Sequence, residues 1–283
     1  MPMLFPWLNK GLEYTPPKKR EIMPIMKLLA YAQEHWAPYA CHMIFVSVAA
    51  KVITSYYAYP LAVIATGALL LFYGLKGRYP ELTARGTTAA DWLLAFAVGV
   101  VGIAIWIVPY HFAWKLMLAR IPILGNEGIF LSFTYGADIA KESFERAAGG
   151  LALVPTALPT PTYDPGTLAG AFKQVFIAFR LCGAVITVPF FEELFTRSFI
   201  IRFIDDEYYK RVPVGYYSKT SFLFALAIFV FAHPWWFVAV LWGLLIMGLL
   251  YYRRNLLLCV FAHAVSNLIL GIYILQTGNY YLW

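Results

Sequence analysis

The sequence predicts an all-α protein, a polytopic bundle of transmembrane helices. Of its 283 residues, 61% are apolar and only 13% are charged, a composition well outside that of soluble domains. The apolar residues also gather in runs of about 20, the length that a helix needs to cross a bilayer. We therefore expect a multi-pass protein of the plasma (inner) membrane, folded as one bundle in contact with membrane lipids.

Seven apolar runs are predicted to be spans, with six or eight as the alternatives because the second is short and the fifth stops at a His-Pro pair. The uncharged stretch 56–60 is predicted to be the turn between the first two. The fourth run is long enough either to project beyond the lipid or to break near Pro189. The spans lie near residues 39–57, 60–75, 92–112, 170–203, 220–233, 236–252 and 255–275.

Lysine and arginine are distributed unevenly between the spans, and this predicts an orientation. They cluster before the first span, after the second, between the fourth and fifth and between the sixth and seventh, so all four clusters fall on one side. The N-terminus is predicted in the cytoplasm and the C-terminus outside. The net charge of +7 then indicates contact with anionic lipid head groups and no nucleic-acid partner. We expect no cleavable signal peptide in residues 1–37, which lack its continuous apolar core.

Three of the apolar runs contain polar side chains that hydrocarbon does not tolerate. Burying such groups costs several kcal/mol each, so they are expected to face one another or a water-filled cavity and to mark a functional site. They belong to the stretches VPFFEELFTRSFI, FVFAHPWWF and LCVFAHAVSNLIL, and are Glu192, Glu193, Arg197, His233, His263 and Asn267.

Helical spacing separates the roles of the two carboxylates. Glu193 and Arg197 are four residues apart, so they stack on one helix face and are expected to form a supporting ion pair. Glu192 points about 100° away from Glu193, which leaves its carboxylate free to act as a general base. His263 and Asn267 are also four apart, so an imidazole and an amide share one face of the last span.

These residue types are the parts needed to hydrolyse a carbonyl compound. Glu192 and His233 could activate a water molecule while His263 and Asn267 stabilise the oxyanion, a scheme that requires no metal or other cofactor. Alternatively, Glu192, His233 and His263 could bind Zn²⁺, whose bound water would be the nucleophile. The sequence leaves both schemes open.

The three polar motifs resemble those of the CAAX protease and bacteriocin-processing family, also called CPBP or Abi. Its signatures are EExxxR, FxxxH and HxxxN or HxxxD, and they match this chain in order, spacing and placement on apolar helices. The resemblance covers about residues 170–275, and Asn267 makes it closest to the Ras-converting-enzyme-like branch. The first 170 residues resemble CAAX-protease-related proteins of exosortase systems. This resemblance implies that the protein takes part in a pathway that sorts exported proteins. The motif residues are Glu192, Glu193, Arg197, Phe229, His233, His263 and Asn267.

The resemblance implies a conical bundle of helices around an intramembrane chamber, with Glu192 and His233 activating water and His263 and Asn267 forming the oxyanion hole. The expected activity is that of an intramembrane endopeptidase acting on a membrane-associated peptide or protein, with a lipidated or C-terminal substrate as one option. We divide the chain into a cytoplasmic segment, N-terminal membrane helices with a long extracytoplasmic connection, a catalytic four-helix core and a short extracytoplasmic tail. Their bounds are 1–38, 39–169, 170–275 and 276–283.

Two other classes of function remain as alternatives. Intramembrane Glu and His residues also form proton relays in transporters, but the chain shows no inverted repeat and its ionisable motif residues are confined to the last four spans. A protease-like fold could also serve as a binding or immunity factor without turnover. The usual sign would be loss of Glu192 or of a motif histidine, and both histidines and Glu192 are present.

Overall fold

The computed structural model describes residues 9–15, 23–108, 163–233, 236–278 and 280–283, and every regular element in these ranges is helical. The protein is a polytopic helical bundle, as predicted. Short 3-10 turns occur at Pro165–Thr167, Tyr209–Arg211 and Tyr280–Leu282. The helices are α1 Ile25–Tyr31, α2 Gln33–Ile53, α3 Ser55–Leu75, α4 Ala89–Val108, α5 Gly170–Asp205, α6 Lys219–Phe231, α7 Trp236–Arg253 and α8 Leu256–Thr277.

Helices α2 to α8 each overlap one of the seven predicted spans. By length and composition α2, α3, α4, α5 and α8 can each cross a membrane, whereas α6 and α7 are shorter apolar helices. Outward side chains such as Val52, Leu75 and Phe231 are apolar and 82%, 81% and 89% exposed, as expected where lipid is the solvent. The chain is therefore a multi-pass membrane protein. The end of the third predicted span, 109–112, and most of the long connection lie outside the described residues.

The connection between α2 and α3 is shorter than predicted. The expected turn at 56–60 is wrong, because α3 begins at Ser55 and includes Pro60. Thr54 alone forms the connection, with φ 64° and ψ 152°, a backbone region that residues with a Cβ rarely adopt. Pro60 lies in the second turn of α3 and removes one helical hydrogen bond. The remaining backbone hydrogen bonds of this 21-residue helix outweigh that loss.

Helix α5 is 36 residues long, about 54 Å at 1.5 Å per residue. It therefore exceeds the roughly 30 Å of hydrocarbon in a bilayer, in agreement with a helix that projects beyond the lipid. The alternative, a break near Pro189, is wrong, since this proline lies in the first turn of the α-helical stretch Val188–Glu192. Stretches of π-helix flank it at Gly183–Thr187 and Glu193–Ile200. Such wider turns occur frequently at functional sites, and the second contains Glu193 and Arg197.

Segments predicted to share one side of the membrane meet at one end of the bundle. Glu81, in the loop after α3, accepts hydrogen bonds from His35 Nε2 at 2.6 Å and from Arg202 Nη2 at 3.0 Å. Arg253, at the end of α7, pairs with Asp91 at 2.6 Å. The loop after α3, the end of α5 and the end of α7 therefore lie together, as the grouping of the basic clusters predicts.

Helices α4 and α8 pack closely because glycine lies between them. A Cβ on Gly99 would lie 2.6 Å from the carbonyl oxygen of Ala262 and 2.8 Å from Cβ of Val265. One turn along, a Cβ on Gly102 would lie 2.7 Å from Nε1 of Trp242. Small residues let membrane helices approach in this way, and the approach brings α8 with its motif residues into the centre of the bundle.

Candidate active site

A cavity of about 250 Å³ lies among the helices of the C-terminal half and α4. The four residues that the sequence predicts to act together, Glu192, His233, His263 and Asn267, all line it. They come from α5, the end of α6 and α8, so only the tertiary fold brings them to one place. The cavity thus has the carboxylate, imidazole and amide groups of the predicted site on its wall.

Glu192 presents a carboxylate that the protein leaves unsatisfied. Its Oε2 atom is enclosed, yet it meets no hydrogen-bond donor among the described residues. A buried acceptor without a donor is costly, and a water molecule or a substrate N–H in the cavity would relieve that cost. This is the arrangement expected of a general base that binds its water from the cavity.

His233 lies just beyond the end of α6 and not on the helix as predicted, because α6 ends at Phe231. Its Nδ1–H donates to the carbonyl of Phe229 at 2.7 Å, and the two rings lie 4.3 Å apart. With the proton on Nδ1, Nε2 carries a lone pair. That nitrogen can accept a hydrogen bond from water, which is the orienting role predicted for His233.

Glu193 does not line the cavity, and its carboxylate contacts two other side chains. It is fully buried, and its carboxylate accepts a hydrogen bond from His263 Nδ1 at 2.9 Å while pairing with Arg197 Nε at 3.4 Å. The Arg197 guanidinium lies over the rings of Phe229 and Trp242, at 4.2 and 5.6 Å. The predicted pair is present, and it extends to a third residue that helical spacing alone did not reveal.

The contact with Glu193 determines which nitrogen of His263 carries a proton. A carboxylate only accepts hydrogen bonds, so Nδ1 is protonated and Nε2 is the atom left for the cavity. Neutral His263 would then only accept at Nε2, whereas the imidazolium donates there. A donor at Nε2 is what an oxyanion requires, and the Glu193 carboxylate lies against the opposite nitrogen of the ring.

Asn267 lies one turn beyond His263 on α8 and keeps a donor for the cavity. One of its amide hydrogens is bonded to the carbonyl of Ala184 at 2.7 Å, and the second remains available. Ser266 beside it donates to the carbonyl of Gly99 at 2.7 Å, which ties α8 to α4. The amide is thus held in a fixed orientation at the cavity wall.

The zinc alternative needs three ligands close together. Across the described residues, no three His, Cys, Asp or Glu side chains form a group that could hold a metal ion. Glu192, His233 and His263 line one cavity without forming such a group.

A second cavity, of about 300 Å³, lies between α1, α2 and the π-helical part of α5. Its wall is apolar and includes Leu28, Trp36, Tyr39, Phe195 and Phe199. Its lining includes no Asp, Glu, His, Lys or Arg side chain, so its chemistry suits a hydrocarbon chain and not a reaction. It lies next to the helix that carries Glu192 and Glu193.

One cation in the first cavity was missed by the motif analysis. Arg180 lines the cavity together with Ala184, Val188 and Glu192. On a regular α-helix a step of 12 residues leaves Arg180 and Glu192 about 120° apart, so helical spacing does not predict that the two share the cavity wall. Arg180 also belongs to none of the three sequence motifs.

The fold and the site together define a class, a polytopic membrane protein with hydrolase-type polar groups inside the bundle. Residues 174–269 match the family model described as type II CAAX prenyl endopeptidase Rce1-like. This segment is therefore similar to the Rce1-like endopeptidases of the CAAX protease family, as the motifs predicted. The match covers about a third of the chain and includes all six polar motif residues. Comparison with curated proteins gave no match, and comparison with solved structures gave none.

Proposed function

We propose that the protein is an intramembrane endopeptidase that hydrolyses a peptide bond of a membrane-associated substrate with water activated by Glu192. The observation that carries this proposal is the convergence of Glu192, His233, His263 and Asn267 on one cavity. The family match supports peptide-bond hydrolysis in general. The roles of the individual residues rest on the geometry.

In the proposed reaction Glu192 takes a proton from a water molecule whose position His233 fixes through Nε2. The oxygen of that water bonds to the carbonyl carbon, and the oxyanion accepts hydrogen bonds from His263 and Asn267. As the carbon–nitrogen bond breaks, Glu192 passes its proton to the leaving amine. A base and an oxyanion hole each contribute about 10²-fold or more to such reactions, and no covalent enzyme intermediate is needed.

We further assign the end of the bundle that holds Glu81 and Arg202 to the cytoplasm, with the N-terminus on that side and the C-terminus outside. The excess of Lys and Arg in the loops at that end supports this assignment. The plasma (inner) membrane is the proposed location. A lipid-anchored substrate is supported by the apolar cavity beside α5, and an exosortase-type sorting pathway remains a proposal on sequence resemblance alone.

The test uses the full chain reconstituted in vesicles with candidate membrane peptides. We expect Glu192→Ala, His233→Ala and His263→Ala each to lose cleavage, measured by mass spectrometry of the products. Glu13→Ala is the matched control, because Glu13 is an exposed carboxylate outside the cavity. Cleavage by all three cavity variants at the wild-type rate would refute the site.

Metal dependence is tested separately on the wild-type protein. We expect activity to survive exhaustive 1,10-phenanthroline and to persist in a preparation that elemental analysis shows to be free of zinc. Loss of activity that added Zn²⁺ restores would instead support the metalloprotease alternative. Proton-coupled solute uptake that disappears in Glu192→Ala would indicate a transporter.

A further inference from the structure

Trp242 lies between the two histidines of the proposed site, although it belongs to none of the three sequence motifs. It comes from α7, a helix that carries none of the motif residues. Its side chain is buried, with 6% of the residue exposed, and it forms part of the cavity wall. The proposed reaction gives this side chain no role. Its contacts show which groups it can hold in place.

A continuous row of aromatic rings connects His233 to His263. The centroid of the His233 ring lies 4.3 Å from that of Phe229. Phe229 is stacked on Trp242 at 5.3 Å, with 20° between the ring planes. Trp242 then meets His263 edge to face, at 4.6 Å and 61°. Aromatic rings prefer such offset and edge-to-face contacts. The two imidazoles are thus the ends of one row of four rings.

Three other helices hold the Trp242 indole in one orientation. Phe229 of α6 lies against one face of it, and its Nε1–H donates to Ser266 Oγ of α8 at 3.4 Å. A Cβ on Gly102 of α4 would lie 2.7 Å from Nε1, so α4 approaches the indole as closely as glycine allows. A side chain whose rotamer is fixed by packing can hold its neighbour within a narrow range of positions.

Arg197 joins this row of rings to the contact between Glu193 and His263. Its guanidinium lies over the rings of Phe229 and Trp242, at 4.2 and 5.6 Å, and its Nε pairs with Glu193. Glu193 in turn accepts a hydrogen bond from His263 Nδ1. A single hydrogen bond tolerates a spread of angles. The indole against the imidazole therefore narrows the positions that Nε2 of His263 can take.

We propose that Trp242 is a positioning residue, which keeps Nε2 of His263 directed into the cavity at a set distance from His233. This inference rests on the proposed function and adds a residue to that site. In the proposed reaction His233 fixes the water and His263 stabilises the oxyanion, so both must meet the same carbonyl group. A displacement of about 1 Å can slow such a reaction about 10²-fold. Trp242 has this effect without bonding to the substrate.

Two simpler roles for Trp242 lead to different results. A tryptophan that only fills space in the core changes the amount of folded protein and leaves kcat per folded molecule unchanged. A tryptophan that only contacts the substrate from the cavity wall changes KM. A positioning residue lowers kcat while KM stays nearly the same.

The first experiment measures steady-state cleavage of one membrane peptide by the full-length protein in vesicles. We expect Trp242→Leu, which removes the aromatic ring, to lower kcat per folded molecule by about 10- to 100-fold. KM should stay close to that of the wild type. Trp242→Phe keeps an aromatic ring beside His263, so it should restore most of the lost kcat.

Trp92→Leu is the matched control, because it removes an indole that packs on Phe261 at 5.1 Å and does not line the cavity. It should leave kcat per folded molecule unchanged. The same result for Trp242→Leu would overturn the inference and make Trp242 a core residue. A change confined to KM would also overturn it and assign Trp242 to substrate contact.

The second experiment asks whether Trp242 acts through His263. Trp242→Leu is combined with His263→Ala, and the cleavage rate is compared with that of each single variant. Residues that act as a unit have non-additive effects, so Trp242→Leu should slow the His263→Ala protein much less than it slows the wild type. An equal fold-loss in both backgrounds would show that Trp242 acts elsewhere and would overturn the inference.

A third measurement needs no cleavage, so it separates this inference from the proposed function. Proton NMR of protein with isotope-labelled histidine detects the Nδ1–H of His263, which its hydrogen bond to Glu193 protects from exchange with water. The signal is assigned by its absence from His263→Gln. We expect it in the wild type and in Trp242→Phe, and we expect it to weaken in Trp242→Leu, where the imidazole gains freedom.

Failure of the two proposals looks different in this design. If the wild type cuts no peptide but the signal weakens in Trp242→Leu and not in Trp242→Phe, the positioning of His263 by Trp242 stands and the peptidase proposal falls. If the wild type cuts the peptide and Trp242→Leu changes neither the signal nor kcat, the peptidase stands and the Trp242 inference falls.

Discussion

At the scale of single residues, the proposed reaction has Glu193 act through His263 and not on the substrate. The Glu193 carboxylate accepts a hydrogen bond from His263 Nδ1 at 2.9 Å, so it fixes the orientation of the ring and leaves Nε2 for the cavity. We predict that Glu193→Gln lowers kcat by about 10²-fold or more, since an amide supplies no charge to the imidazolium. The KM for the peptide should change little, because Glu193 faces away from the cavity.

The measurement is steady-state cleavage of one membrane peptide by the wild type, Glu193→Gln and the exposed control Glu13→Gln. A merely structural role would lower the amount of folded protein and leave kcat per folded molecule unchanged. That result would contradict the positioning role of Glu193.

Asn267 is expected to contact the reacting oxygen itself. One amide hydrogen is taken by Ala184, and the other points to the oxyanion in the proposed reaction. We predict that Asn267→Ala lowers kcat by about 10²- to 10³-fold, the usual effect of removing one oxyanion donor. A kcat within a few-fold of the wild type, measured with saturating peptide, would exclude Asn267 from the oxyanion hole.

Much of the site could be predicted at this scale, because polar groups in apolar helices have few reasons to be there other than function. Four-residue spacing also predicted the Glu193–Arg197 pair. The contact between Glu193 and His263 could not be predicted, since it joins residues 70 positions apart and depends on how closely α8 approaches α5. The donor left on Asn267 likewise depends on the Ala184 carbonyl, which only the fold brings near.

At the scale of helices, the approach of α4 to α8 depends on Gly99. A methyl group there would lie 2.6 Å from a backbone oxygen of Ala262, and backbone cannot move aside cheaply. We predict that Gly99→Ala lowers the free energy of unfolding by roughly 1–3 kcal/mol, the cost of overpacking, measured by denaturation in mixed micelles.

The matched control is Gly67→Ala on α3, where an added Cβ meets nothing within 4 Å. There the better helix propensity of alanine should leave stability unchanged or raise it by up to about 1 kcal/mol. Equal effects of the two substitutions would show that close packing at Gly99 is not what costs stability.

Helix positions could be predicted from hydropathy, but local geometry could not. The turn expected at 56–60 is wrong because Pro60 fits within α3. Of the two alternatives for the fourth span, the break near Pro189 is wrong because α5 continues through it. Proline is a weaker signal in membrane helices, where neighbouring groups satisfy the freed backbone. The π-helical turns around Glu193 could not be predicted from the spacing of apolar residues, because such turns contain an extra residue and depend on tertiary packing.

At the scale of the whole molecule, Glu81 links the loop after α3 to α2 and α5. Burial opposes the charge of Glu81, but the hydrogen bond from His35, the charge of Arg202 and the hydrogen bond from Ser198 outweigh burial and lower the pKa of Glu81 to about 2. Because the folded pKa lies below the unfolded one, near 4.3, Glu81 stabilises the fold above that pH. Its contribution, roughly 3 kcal/mol, should be lost as pH falls from about 5 to about 2.

The check compares the thermal stability of the wild type and Glu81→Gln in detergent at several pH values. At neutral pH the wild type should be the more stable, because the variant leaves Arg202 buried without its anion. The difference should shrink as pH falls through this window. A difference that is constant from pH 7 to pH 3 would contradict the role of Glu81.

We propose above all that this membrane protein hydrolyses its substrate in the cavity, with Glu192 as the base. The most direct measurement is the cleavage rate of one membrane peptide in vesicles freed of metal, for the wild type and for Glu192→Gln. We expect the wild type to remain active and Glu192→Gln to be slower by about 10²- to 10⁴-fold while still binding the peptide. Undiminished cleavage by Glu192→Gln, or a wild type that cleaves only with added zinc, would contradict it.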